Sequence, residues 1–245
     1  MIDYFIICHD QDIILKSIEE NKFSKLPDHT FLFVGNRLTN LIECIPNVIL
    51  CNKLKHNIEN YPKLCSFTAW YAVSKNNLSQ NKYCCLLEYD VEITQDLHQN
   101  NLEKLKDSSI CAYFREPMES LAFSRSTPWL DIFFEKYLMD ESKIYNEEFW
   151  YCTTNFIMHN NIFNIFNDWF YNISLIFKED DLGAYMHERL INVFCIINGH
   201  RIKYIPNVLK HLQLRSHNIS DIYMLSKEHN KNIDAVYLEH LEKLK

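Results

Sequence analysis

The chain has 245 residues, enough for one large core or two small ones, and its 47% hydrophobic and 14% aromatic content is that of a globular protein. Its 25 basic and 32 acidic residues leave a net charge of −7, which argues against binding nucleic acid through overall charge. Nine cysteines, an odd number with no Cys-x-x-Cys pair, read as reduced buried thiols and support neither a zinc site nor a disulfide framework. Met1–Cys8 is too short and too acidic for a signal peptide, and no apolar run approaches the ~20 residues of a membrane span. The expectation is a cytoplasmic protein, in which the Asn-x-Ser triplets at Asn77, Asn172 and Asn218 need no glycan.

In chain order, Asp3–Cys8 is a compact apolar run, hence a strand, followed by the polar turn His9-Asp10-Gln11-Asp12 and an amphipathic helix over Ile13–Glu20. Thr30–Val34 predicts a second strand closed by Gly35-Asn36, and Asn47–Cys51 a third. Asn57–Val73 reads as a crossover helix with Pro62 in its first turn and Phe67, Trp70 and Tyr71 on one face. That helix delivers the chain to Tyr83–Glu92, five apolar residues running into Glu88 and Asp90. Residues 94–106 predict a polar helix, Ile110–Phe114 a strand, and Arg115-Glu116-Pro117 a loop. Ser126–Tyr145 reads as a helix, Trp150–His159 as one strand, and Asn161–Phe177 as an aromatic helix. Asp181–Asn198 is a helix capped by Gly199, and Arg201–Ile205 a strand closed by Pro206. Strands alternating with helices predict an α/β sheet. There is no repeat and no linker. A single catalytic domain is expected over 1–220, with a charged helical tail over 221–245.

Glu88 and Asp90 are one residue apart at the end of a predicted buried strand, so alternation points both carboxylates to one side. Like charges so close repel unless a cation, a proton or a basic group sits between them. The carboxyl end of a strand in an open α/β sheet is where a ligand crevice forms. Asp90 is therefore a candidate metal ligand, and Glu88 a candidate contact to a bound ligand; a pair of solvated acids is the plain alternative. His9, Asp10 and Arg37, beyond the first two strands, are further candidates for contacts to a bound ligand, and the family resemblance described below implies that this ligand is a nucleotide.

The last third contains Glu188-Arg189 early in a helix, then Gly199, a strand, Pro206 and His211. Glu188 to Gly199 is eleven residues and Gly199 to His211 is twelve. This ordered set resembles the closing segment of family two glycosyltransferases with the GT-A, nucleotide-diphospho-sugar transferase fold. Ile6–Asp10 looks like their nucleotide-contacting opening, and Glu88-Tyr89-Asp90 stands where their Asp-x-Asp motif lies. The run Ala184–Val193 is similar to that of capsule-type glycosyltransferases of bacteria and giant viruses. The likeness covers about residues 3 to 211. A viral source would fit the Asn-, Ile- and Lys-rich composition, and the location would then be host cytoplasm or virion.

The resemblance implies a Rossmann-like mixed sheet flanked by helices, and sugar transfer from a nucleotide-diphospho-sugar, UDP-sugar first, to a glycan or other hydroxyl acceptor. It implies Mn²⁺ or Mg²⁺ held by Asp90 and His211, with His217 competing for that place. It implies Glu188 as the base of an inverting reaction, with Asp180 and Asp181 in reserve. The sequence departs from the family pattern at two points. Glu88 stands where Asp begins the metal motif, and Glu188, followed by Arg189, stands where the family carries the Asp of a Glu-Asp pair. A non-catalytic nucleotide-sugar binder and a metal-dependent phosphoesterase are the alternatives.

Overall fold

The computed structural model describes residues 1–35, 45–118, 130, 134–135, 142–152, 154–179 and 183–211. The elements are β1 (Ile2–Cys8), α1 (Gln11–Glu19), β2 (His29–Phe33), β3 (Val48–Leu50), α2 (Ser66–Lys75), β4 (Tyr83–Glu88), β5 (Val91–Ile93) and α3 (Leu97–Lys104). They continue with β6 (Ile110–Ala112), β7 (Glu116–Pro117), α4 (Ser142–Tyr145), β8 (Phe149–Trp150), β9 (Phe156–His159), α5 (Asn160–Phe177), α6 (Gly183–Ile197), β10 (Ile202–Tyr204) and β11 (Leu209–His211). Among the described residues no helix is long and apolar enough to cross a membrane.

Among the described residues, seven strands form one sheet in the order β10-β6-β9-β4-β1-β2-β3. All pairings in it are parallel except those of β9, which runs antiparallel to both β4 and β6. Helices cover both faces, which is why β1 and β4 read as nearly continuous apolar runs instead of alternating ones. Alternation then divides each strand between two cores. Phe5, Ile7, Cys84 and Leu86 face the core built by α2, α5 and α6, while Tyr4, Ile6, Cys85 and Leu87 face that of α1, α3 and β5. On α5, Phe163, Phe166, Phe170, Ile173 and Phe177 recur at three- and four-residue steps and are all buried. That aromatic stripe is core, as is Trp70, which is fully buried against Phe163 and Phe166.

Three expected elements differ from those observed. The helix expected over Asn57–Val73 is a 3₁₀ turn at Pro62–Leu64 and then α2, separated by Cys65 at φ 43°, ψ −122°. The strand expected over Trp150–His159 is two strands, β8 and β9, with residues 151–155 between them. The expected loop at Glu116-Pro117 pairs with Phe149-Trp150 as a two-stranded ladder. Most of the helix expected over Ser126–Tyr145, and the tail from Asp221, lie outside the described residues.

His187 on α6 is fully buried among the rings of Phe67, Trp70 and Phe170. Burial, with the nearby Arg189 guanidinium adding, pushes its imidazole from 6.5 down to about 3. The native state therefore refuses a proton that the unfolded chain accepts below about pH 6.5, so stability falls as pH drops through the window from 6.5 to about 3. The slope is about 1.4 kcal/mol per pH unit. His187→Phe should remove it, leaving the variant about 2 kcal/mol less acid-sensitive than the parent between pH 7 and 5. Urea unfolding at the two pH values measures this, and equal acid sensitivity in both proteins would contradict it.

Candidate active site

β1 pairs with β2 on one side and β4 on the other, so the strand order reverses between β1 and β4, and their carboxyl ends are where an open α/β sheet carries its ligand crevice. His9 and Asp10 follow β1 there, and Tyr89 and Asp90 follow β4. The two loops are joined. The Tyr89 N–H donates to the Ile7 carbonyl at 3.0 Å, and the Tyr89 hydroxyl meets His9 Nε2 at 3.2 Å with the rings edge-on. Asp10 caps α1, its Oδ1 accepting from the N–H groups of Asp12 and Ile13 at 3.0 and 3.2 Å.

Buried groups report the field of this crevice. The Cys8 thiol is pushed up to about 12, chiefly by burial and further by Asp10 and Asp90. Burial also raises the Tyr89 phenol, with Asp90, Glu88 and Asp10 all pushing in the same direction. Both shifts carry the negative field of the acids that follow β1 and β4.

β4 ends at Glu88, and Tyr89-Asp90 form the turn into β5, so the alternation expected to align the two carboxylates does not reach Asp90. Glu88 shares the strand face of Cys84 and Leu86, toward α2. Its Oε1 accepts from Ser66 Oγ at 2.6 Å and from the Thr154 hydroxyl, while its N–H donates to Asn155 Oδ1 at 2.8 Å. Glu88 therefore ties the start of α2 and the β8–β9 segment to the end of β4.

Beside it, Cys65 occupies a left-handed conformation that an L side chain adopts only with strain. Its thiol is raised by burial and by Glu88. Cys65→Gly should relieve the backbone and stabilise the fold by about 1 kcal/mol, after allowing for glycine's greater freedom when unfolded. A lower melting temperature in the variant would show that packing of the thiol outweighs the strain.

β5 pairs antiparallel with β11, setting the backbone of His211 opposite Val91, the residue after Asp90. Thr94 secures the ladder through its N–H to Val208 and its hydroxyl to Asn207, the latter at 2.6 Å. Among the described side chains no three His, Cys, Asp or Glu groups cluster as a ready metal cage. Asp90 offers one hard carboxylate donor of the kind a divalent ion takes. Asp90 immediately precedes Val91, the residue paired with His211, while Glu88 Oε1 is already occupied by two hydroxyls.

Glu188 lies in the second turn of α6 and is mostly buried. Its Oε2 receives Arg189 Nη1 at 2.5 Å, and the same nitrogen donates to the Tyr185 carbonyl at 3.1 Å. The guanidinium lies over the rings of Trp150 and Tyr185, 5.3 Å from each. Asn192, one turn on, donates to the carbonyls of Glu188 and Tyr151 and accepts from the Tyr151 N–H, fixing α6 to the β8–β9 segment. Within that segment burial raises the Cys152 thiol, with Glu116 and Glu188 adding to the shift. Cys152 and Thr154 are two residues apart, so one short stretch touches both the Glu88 and the Glu188 constellations.

Of the expected ligand contacts, His9, Asp10 and Glu88 follow or end the central strands; Arg37 lies outside the described residues, as do Asp180, Asp181 and His217. Trp150 is buried beneath Arg189. Arg115 stacks over Phe149 and Tyr204, at 3.9 and 4.5 Å. Ser66 and Cys65 were not singled out by the sequence reading. Their only signal is the position before α2, which the unbroken helix expected there conceals.

No family model matches the chain, and no curated protein matches it significantly. Among solved structures it is similar to the bifunctional glycosyltransferase WbbM in its apo form, at a TM-score of 0.57 and 15% identity, over 86% of this chain and 45% of WbbM. Looser likenesses, of TM-score 0.47 and 0.45, are to a putative glucose-1-phosphate thymidylyltransferase from Bacillus anthracis (6% identity; 86% of this chain and 89% of that one) and to the galactosyltransferase LgtC (10%; 92% and 95%). The chain spans less than half the length of WbbM. At such identities the likeness speaks for architecture. With its single antiparallel strand inside an otherwise parallel sheet and helices on both faces, the chain has the GT-A glycosyltransferase fold.

Proposed function

We propose that the chain is a metal-dependent glycosyltransferase that moves a sugar from a nucleoside-diphospho-sugar, UDP-sugar first, to a hydroxyl of a glycan or other acceptor. The observation that supports the reading is the β5–β11 ladder, which pairs the backbone of His211 with Val91, the residue after Asp90, at the carboxyl end of the central strands of a GT-A sheet. Asp90 and His211 would hold Mn²⁺ or Mg²⁺. When bound, such an ion supplies Lewis-acid neutralisation of a diphosphate leaving group.

The chain's own residues account for the rest. The loops carrying His9 and Asp10 border the nucleotide, locked to β4 through the His9–Tyr89 contact. Glu88, clamped by Ser66 and Thr154, holds the crevice wall in one shape. Glu188 takes the proton of the acceptor hydroxyl as that oxygen bonds the anomeric carbon. The bond from that carbon to the phosphate oxygen breaks, and the nucleoside diphosphate leaves with the electron pair. In-line attack of this kind inverts the sugar. Arg189 orients the base through the ion pair on α6.

Thermal-shift measurements with UDP-, GDP- and CMP-sugars, each with and without MnCl₂, test the reading. A nucleotide-specific shift that requires the metal is expected. No shift with any of them would remove the proposal, and a product of retained anomeric configuration by NMR would remove the role of Glu188.

A further inference from the structure

A second groove lies at the opposite end of the sheet, where β4, β6 and β10 begin. It has a volume of about 640 Å³ and is lined by Lys82, Lys106, Arg201, Lys203, His159 and His200. Asp107 is the one acid among its lining residues, 3.7 Å from Lys203 and itself largely exposed. On a chain of net charge −7, this is a local concentration of positive charge against the trend. It is also organised. The Lys82 ammonium sits 5.1 Å above the Tyr83 ring, His159 packs edge-on against the same ring, and the Tyr83 hydroxyl donates to the Leu105 carbonyl. His159 Nδ1 accepts from the Asn161 N–H, which leaves Nε2 carrying the ring proton and able to donate.

The basic groove shares Gly199, His200 and Arg201 with a neighbouring cleft of about 470 Å³. That cleft runs along the second half of α6 and is lined by Phe149, Tyr151, Glu147 and Glu148. Aromatic faces with carboxylates beside them suit sugar rings and their hydroxyls. The same helix carries Glu188, and from Glu188 to Ile196 the path along α6 is roughly 12 Å. The two grooves therefore form one concave track that leads from the neighbourhood of the proposed base to a cationic end.

We infer that this track holds the distal part of an acceptor that is an anionic oligosaccharide, its sugar rings against Phe149 and Tyr151 and its carboxylate or phosphate groups against Lys82, Lys106, Arg201 and Lys203. The inference rests on the glycosyltransferase reading and names the acceptor class for it. A concave groove suits an extended chain better than a membrane surface, and the net negative charge disfavours nucleic acid.

The test is a binding measurement that needs no turnover. A fluorescein-labelled galacturonic acid hexamer is titrated into the full chain and into a Lys82→Glu/Lys203→Glu variant, with maltohexaose, inorganic pyrophosphate and phosphatidylglycerol vesicles as comparisons. The parent should bind the hexamer and maltohexaose should not compete. The double reversal should weaken binding about tenfold or more, with added salt acting in the same direction. Circular dichroism and an unchanged melting temperature establish that the variant is folded. Absent hexamer binding, or equal binding by the variant, overturns the inference. Competition by pyrophosphate at equal concentration would reduce the groove to a simple phosphate site, and capture by vesicles would make it a lipid-facing surface; either result overturns it too. Loss of the donor-sugar thermal shift with hexamer binding intact would count against the transferase reading alone.

Discussion

Asp90→Asn should abolish the metal-dependent thermal shift produced by the donor sugar and lower kcat/KM about 10³-fold. The substitution keeps the size of the side chain and one oxygen but removes the negative charge. Position makes that charge costly to lose. Asp90 stands in the turn between β4 and β5, beside the register that brings in His211, and its field is felt at both Cys8 and Tyr89. The side chain is not part of a strand ladder, so the folded state should survive with a melting temperature within a few degrees of the parent. Mn²⁺ binding followed by electron paramagnetic resonance gives a readout independent of turnover. Parent-like Mn²⁺ affinity in Asp90→Asn would take the metal site away from this turn, and would leave Glu88 with only its bracing role toward Ser66 and Thr154.

Glu188→Gln should act on the other half of the reaction. Donor binding should be unchanged, kcat should fall by about 10²- to 10⁴-fold, and the acid limb of the pH–rate profile should disappear with the base. Glutamine is the informative choice because it can still accept from Arg189, whose guanidinium is only 5% exposed. Removing the carboxylate altogether would strand that charge in the core and confuse catalysis with unfolding. Even so, the lost ion pair should cost about 2 kcal/mol of stability. Full turnover by Glu188→Gln would end the inverting mechanism. A lost donor shift would mean that Glu188 serves the nucleotide side.

The two substitutions separate because the constellations lie on different elements. Asp90 depends on the β4–β5 turn, while Glu188 depends on α6 and its anchorage to the β8–β9 segment through Asn192. The β8–β9 segment reaches both, with Thr154 on Glu88 and Cys152 in the field of Glu188.

Much of this scaffold is written locally. The apolar runs of β1, β2 and β4, the aromatic stripe of α5 and the helix α6 each carry their periodicity in adjacent residues. Gly199 could be recognised as a helix end because its position requires positive φ, and it adopts +67°. The candidate metal and base residues were proposed from spacing together with the family resemblance. What was not visible depends on partners far away in sequence. An apolar decapeptide such as Trp150–His159 announces burial but says nothing of pairing direction, so neither its interruption at residues 151–155 nor the antiparallel course of β9 could be read. The break at Cys65 is hidden because a single strained residue leaves helical periodicity intact on both sides.

The sequence by itself determined an α/β sheet, the order of its principal strands and helices, and the acidic and basic residues that follow them, because hydrophobic period and capping chemistry act over a few residues. Tertiary structure alone decided which of those residues meet. Glu88 turned toward the hydroxyls of Ser66 and Thr154 because α2 and the β8–β9 segment close over that strand face. The backbone of His211 came to pair with Val91, the residue after Asp90, because β5 and β11 run antiparallel. The lysines and Arg201 gathered into one groove because three strands begin at the same edge. Contacts of that kind are selected by the packing of the whole sheet, and no window of sequence contains both partners.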